Sequence, residues 1–220
     1  MDNRTRTGLL LLMIGTIISI ITNAALFLSS SIVTMVSSIG VIGALMVFIG
    51  IILMILGRKE FGEKHSKYVL ISLLLFILAI AISIVVVTIA VLIALSTEDI
   101  GSISSIFYIV PIASISSALA YVFLLHELED QTGKMILYIA TIVSIVVAFY
   151  ISMNIIPIFE ETIGTFEPSM SIQEMTELQN AFTERISTIS APGFLTNILM
   201  FIAIYLAYKR VESGEIRSVD

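Results

Sequence analysis

The sequence predicts an all-α protein, a polytopic transmembrane bundle of six spans with one amphipathic helix outside the bilayer. Three observations predict it. Of 220 residues, 58% are hydrophobic and 13% are charged, about half the charged share of an ordinary soluble domain. The hydrophobic residues gather into runs of about 20, the length that crosses a bilayer as a helix. The charges are confined to short islands between those runs, and the basic ones fall in alternate islands.

The first predicted span, 8–28, directly follows Arg4 and Arg6. It is longer than the roughly 7–15 apolar residues of a signal-peptide core, so it is expected to be retained. Ser29, Ser30 and Ser31 make a charge-free turn into the second span, 32–57. Residues 57–68 then form a charged island that carries four of the eleven Lys and Arg residues. The third span, 69–95, leads to a short acidic turn at Glu98 and Asp99. The fourth, 103–125, contains Pro111, which is expected to kink it, followed by the small residues Ala113, Ser114, Ser116, Ser117 and Ala118. A second charged connection, 126–134, precedes the fifth span, 135–158.

Residues 159–192 form the only long connection. Within it, Ser171 and Glu174 have the spacing of a capping box, in which the two side chains satisfy free backbone N–H groups at a helix start. A helix is therefore expected over about 171–189. Its residues Ile172, Met175, Leu178, Phe182, Ile186 and Ile189 recur every three or four positions and form one apolar face. The sixth span, 193–208, ends at Lys209 and Arg210. The whole chain, 1–220, reads as a single integral membrane domain.

Basic residues beside spans are retained in the cytoplasm. Six spans with both termini cytoplasmic place every Lys and Arg inside except Arg185. Arg58, Lys59, Lys64, Lys67, Lys209 and Arg210 are the anchors of that topology. The expected location is the cell membrane, with 159–192 extracellular.

Inside the spans the informative residues are small. Gly43, Gly50 and Gly57 recur every seventh residue, a stripe that lets a second helix approach closely. Weaker stripes include Thr16, Ser19 and Asn23 on the first span and Ser144, Ala148 and Ser152 on the fifth. Such faces serve packing within the chain, or contact with another copy or another membrane protein. The alternative is a polar cavity, whose candidate residues are Asn23, Ser114, Ser117, Asn154 and Asn197. No Asp, Glu, Lys, Arg or His falls inside a predicted span, which disfavours a proton relay and leaves a neutral pore open.

Motifs for catalysis are missing. The chain has no Cys, and both histidines lie in connections, whereas an intramembrane serine hydrolase needs an embedded His. No Gly-x-Gly-Asp, His-Glu-x-x-His or phosphate-loop pattern occurs. No catalytic residue, cofactor or nucleic-acid partner is expected; the expected partner is the bilayer. His65 with Glu60 and Glu63, and His126 with Glu129 and Asp130, are spaced to share a helix face. They read as a solvated charged rim, with a shared metal site as the alternative.

One regularity links the connections. Arg58-x-Glu60-x-Gly62-Glu63 and Arg210-x-Glu212-x-Gly214-Glu215 have the same spacing, and Glu127 and Asp130 echo Glu60 and Glu63. Three helical-hairpin repeats would produce this. The Arg-Lys-Glu-Phe-Gly-Glu-x-His pattern between two Ile-, Leu- and Val-rich spans resembles the cytoplasmic loops of uncharacterised archaeal polytopic membrane proteins, over residues 50–90. That resemblance implies a helical-bundle fold and transfers no site residue.

Two functions follow. The first is a non-enzymatic structural, interaction or accessory membrane protein; the second is a channel or permease for a small neutral solute. A hydrated cavity faced by Asn23, Asn154, Ser114 and Ser117 would favour transport, and a dry, close-packed interior would favour assembly.

Overall fold

Backbone N–H and C=O groups find no water inside a bilayer, so an apolar chain crosses it as helices that bond their own backbone. The computed structural model describes residues 4–28, 33–96, 109–165 and 170–216. These form seven helices and no strand among the described residues: α1 (Arg4–Leu28), α2 (Val33–Leu56), α3 (Gly62–Ser96), α4 (Val110–Leu125), α5 (Gln131–Gly164), α6 (Ile172–Ser190) and α7 (Gly193–Glu212). Five of them, α1, α2, α3, α5 and α7, are long and apolar enough to cross a membrane. Helix α4 is described over 16 residues, a length of about 24 Å at 1.5 Å per residue. The first part of the predicted fourth span, 103–108, lies outside the described residues, as do the Ser29–Ser31 turn and the acidic turn at Glu98 and Asp99.

Helix boundaries run past the predicted spans wherever polar residues can stay helical. Helix α3 begins at Gly62, so only the first part of the charged island is a turn. Helix α5 was expected to end at 158 and continues to Gly164, with Pro157 inside it. Leaving the apolar region does not remove the i→i−4 hydrogen bonds that hold a helix. Pro111, expected as a mid-span kink, sits in the first turn of α4 as described, where a missing N–H costs little. The expected capping box of α6 is present: the Ser171 N–H donates to Glu174 Oε2 at 2.7 Å, and the Glu174 N–H donates to Ser171 Oγ at 3.3 Å. In α6, Leu178, Phe182 and Ile186 are half-buried and Ile189 is buried, while Ile172 is exposed.

Helix α1 packs on α2 and α7, α7 on α5, α5 on α4, and α4 on α3. Helices α2 and α3 are consecutive in sequence yet scarcely touch. One end of the bundle collects the start of α1, the α2–α3 turn, the α4–α5 turn and the end of α7. At this basic end the Glu60 carboxylate accepts from the backbone N–H groups of Arg4 (3.1 Å) and Thr5 (3.2 Å). It thereby satisfies helix-start donors that have no partner of their own, and places a negative charge where the helix dipole favours one. Arg6 pairs with Glu212 at 2.5 Å, Lys64 with Glu127 at 3.0 Å, and Arg210 Nη1 donates to the Leu128 carbonyl at 2.9 Å. The two spacing echoes have a common backbone feature here. Gly62 and Gly214 are both left-handed, with φ of 92° and 74°, and Glu60 and Glu212 both engage the first turn of α1.

The glycine stripe of α2 meets a matching pair on α1. A methyl group placed on Gly50 would come within 2.7 Å of the Gly8 carbonyl oxygen, and one on Gly15 within 2.7 Å of the Gly43 carbonyl oxygen. Gly57 likewise abuts Thr5, whose hydroxyl donates to the Gly57 carbonyl at 3.4 Å. The α1–α2 backbones are thus as close as two helices can pack, and only glycine fits at these rungs.

The most buried apolar residues, among them Leu9, Leu12, Met54, Val69, Leu124, Leu137, Ala203 and Ile204, all cluster toward the basic end. Overpacking a tight contact costs about 1–3 kcal/mol. Gly50→Leu should therefore lower the unfolding midpoint in detergent, whereas Gly164→Ala, where a methyl group meets nothing within 4 Å, should leave it unchanged. Equal midpoints for the two variants would contradict the proposed α1–α2 contact.

Candidate functional site

Moving along each helix away from the basic end, the packed core gives way to a cavity of about 540 Å³. In α1, core residue Leu12 is followed by Thr16 and Ser19 on the cavity wall; in α2, Met54 gives way to Val47 and Ala44. In α4, Leu124 and Leu125 give way to Tyr121, Ser117 and Ser114. In α5, Ala140 gives way to Ser144, and in α7, Ala203 and Ile204 give way to Met200, Asn197 and Thr196. Helix α3 contributes Ser83. The cavity therefore touches α1, α2, α3, α4, α5 and α7, and the core seals it on the side of the basic end.

Its wall is uncharged and mixed: Ser, Thr and Asn side chains alternate with Ala, Val and Met, and the apolar groups contribute the larger share of its surface. No Asp, Glu, Lys, Arg or His lines it among the described residues. Four wall hydroxyls donate to carbonyls of their own helices: Thr16 to Leu12 (2.8 Å), Ser19 to Gly15 (3.1 Å), Ser83 to Ala79 (2.9 Å) and Ser114 to Val110 (3.3 Å). A hydroxyl whose proton is so engaged still offers its oxygen lone pairs, so the wall presents acceptors. Thr196 Oγ1 is buried without a partner among the described residues. Asn197 adds a carboxamide, with one acceptor and two donors. Tyr121 and Met200 lie nearest the core, and the Tyr121 ring rests edge-on against Phe76 with centroids 5.4 Å apart.

Of the residues expected to form a cavity, Ser114, Ser117 and Asn197 are brought together. Asn23 and Asn154 are not on the wall. Asn154 turns back on its own helix, where Nδ2 donates to the Tyr150 carbonyl at 2.7 Å. Thr16, Ser19, Ser83, Ser144 and Thr196, which by spacing belong to small-residue packing stripes of their helices, are wall residues as well. Spacing alone shows that these residues share faces, and does not show which face looks inward.

The charged rim differs from expectation at two positions. His65 is fully buried, its ring edge-on to Phe61 with centroids 5.7 Å apart, and neither ring nitrogen has a partner among the described residues. Glu129 is 3% exposed, and neither carboxylate oxygen has a partner among the described residues. Burial, reinforced by the neighbouring Asp130 charge, pushes the Glu129 carboxyl up to about 8. Glu127 shows the opposite outcome: burial works to raise it, but hydrogen bonds from Lys64 and His126 prevail and hold it below the usual range. Among the described residues, no group of three or more His, Asp or Glu is placed to hold a metal ion.

Comparison with family models, with curated proteins and with solved structures finds no match to this chain.

The Glu129 environment sets a pH dependence of stability. The folded chain holds this proton more tightly than the unfolded chain, whose carboxyl has the ordinary value of 4.5. This contribution to stability is therefore greatest below that value, falls as pH rises toward about 8, and levels off above it. Buried His65, which desolvation lowers to about 4, contributes the opposite slope below its ordinary value of 6.5, so thermal unfolding from pH 7 to pH 9 should show the decline in the native chain and a flatter profile in Glu129→Gln. A native profile that rises over the same window would contradict this account of the site.

Proposed function

We propose that the chain is a non-enzymatic, multi-pass membrane permease for a small neutral solute rich in O–H or N–H donors. The observation that carries this reading is the uncharged cavity of about 540 Å³, with eight Ser, Thr and Asn residues set among apolar ones on its wall, a volume typical of small-molecule sites. Its seal at the basic end favours a carrier, with the solute held from one side, over an open channel. Donor-rich solutes suit the wall because each donor can meet a Ser or Thr oxygen, while a charged solute would be desolvated with no opposite charge to pair with. The assembly alternative loses its strongest sequence feature, because the Gly43 and Gly50 faces are already occupied by Gly15 and Gly8 within the chain.

In this reading α4 belongs to a fourth span over 103–125, which gives six spans in the cell membrane. The basic end is cytoplasmic, since Arg4, Arg6, Arg58, Lys59, Lys64, Lys67, Lys209 and Arg210 gather there. Residues 159–192, with amphipathic helix α6, are then extracellular, and α6 borders the bundle through its contact with α5. The Arg185–Glu161 pair at 2.6 Å ties α6 to the end of α5 on that side.

The test is solute flux into proteoliposomes. Stopped-flow swelling with urea, glycerol and xylitol should show protein-dependent entry of at least one of them. Asn197→Leu and Ser117→Leu should each slow that entry about tenfold, the equivalent of a lost hydrogen bond of roughly 1.4 kcal/mol. Entry no faster than into protein-free vesicles for all three solutes would refute the reading.

A further inference from the structure

The packed end beneath the cavity buries two ionisable groups that do not belong in a purely apolar plug, His65 and Glu129, and of these Glu129 lies at the contact between α7 and the α4–α5 turn. Glu129 lies in the α4–α5 turn, beside Leu128 of the core and near the backbone of Ala207 on α7. Gly133 makes room for it, because a methyl group there would overlap Glu129 Oε2. Every charged neighbour that faces it has another engagement or lies at the surface. From its own turn, Asp130 Oδ1 accepts the Gly133 N–H at 2.7 Å. From α7, Arg210 donates through Nη1 to the Leu128 carbonyl at 2.9 Å and through Nε to Glu215 at 3.3 Å. From α5, Lys134 lies along an adjoining groove of about 620 Å³ that Glu129, Asp130 and Tyr138 also line.

Resting on the permease reading above, we propose that Glu129 is the proton site of a gate at the basic end: protonated, it keeps the α4–α5 turn packed against α7, and ionised, it opens that seal. An unpaired carboxylate at 3% exposure is strongly disfavoured unless water or a cation reaches it. The nearest cation on the facing helix is Arg210, and that side chain is now committed to the Leu128 carbonyl, one residue away. Arg210 is also held on its own side by Glu215, so the ionised carboxylate is solvated by water entering from the groove beside Lys134, which parts the turn from α7 at the expense of the Arg210–Leu128 hydrogen bond and gives the proton its route to bulk water. The proton leaves Glu129 for solvent, the charge stays on the carboxylate, and no other bond is made or broken. The shift of this carboxyl to about 8 places the transition in a range where modest pH changes act.

The chain has no Cys, so a single reporter can be read without solute or transport. Val211 is 5% exposed within the packed core of α7, and Val211→Cys is a conservative reporter of the seal. Its labelling by a water-soluble maleimide in nanodiscs, divided by that of an exposed Ser213→Cys control at the same pH, removes the intrinsic pH dependence of the thiol. The ratio should rise about tenfold between pH 7 and pH 9, as the ionised fraction of a group titrating near 8 does. With Glu129→Gln it should stay low at both pH values. A flat ratio in the native background, or a rise that persists with Glu129→Gln, would overturn the proposal. If Glu129→Gln fails to fold, infrared titration of the native chain decides instead: loss of a protonated-carboxyl band between pH 7 and pH 9 is expected, and no such loss overturns it. Because the labelling needs no solute, a pH-gated seal without solute flux would refute the permease reading alone, and flux with a pH-insensitive seal would refute the gate alone.

Discussion

Helices α1 and α2 meet backbone to backbone at Gly8, Gly15, Gly43 and Gly50, a contact that a side chain at any of these positions would break. Lipid tails are as apolar as leucine side chains, so burial of apolar surface gives helices in a bilayer no reason to associate. Contact must come from fit, and glycine gives the best fit by removing the side chain altogether. Helix α2 commits its glycine face to α1, leaves Val41, Leu45, Phe48 and Ile52 exposed on its other faces, and scarcely touches α3. The bundle is built through α1–α7, α7–α5, α5–α4 and α4–α3, and a space lined by α1, α2, α3, α4, α5 and α7 is left between them.

That space is closed at one end by the core. Toward the basic end the helices carry Leu, Met and Val on their inner faces, while one or two turns further along the same faces carry Ser, Thr and Asn among Ala and Val. The loops at the packed end reinforce the closure. Glu60 caps α1 from another turn, Arg6 reaches Glu212, and Lys64 reaches Glu127. Several of the charges at this end find partners. Glu129 is instead buried with neither carboxylate oxygen partnered among the described residues, and this is why it is proposed as a proton site and not as a structural brace.

Much of the fold was legible in the sequence, and the parts that were not have physical reasons. Runs of about 20 apolar residues place helices well because only helices satisfy backbone groups in lipid. The α2 glycine stripe was visible as a seven-residue repeat, but its partners Gly8 and Gly15 were overlooked, although they stand seven apart in the same way. The site was half legible. Ser114, Ser117 and Asn197 were identified from their polarity within a span, and they line the cavity. Asn154 does not line this cavity, and its carboxamide bonds to the Tyr150 carbonyl of its own helix, so polarity in a span does not by itself mean an inward direction. The burial of Glu129 and His65 could not be read from composition, since charged and ionisable residues in a turn are ordinarily solvated.

The central claim is that the middle of this bundle holds water and a solute-sized polar space, and the native lack of Cys allows that to be measured directly. Single cysteines at Ser114 and Ser117, which face the cavity, and at Ile112 and Leu119, which are exposed on the outside of the same helix, can be labelled in nanodiscs with a membrane-impermeant maleimide. The account predicts rapid labelling at 114 and 117 and slow labelling at the lipid-facing 112 and 119. Uniformly slow labelling at all four positions would contradict it, since the interior of α4 would then be as dry as its lipid face.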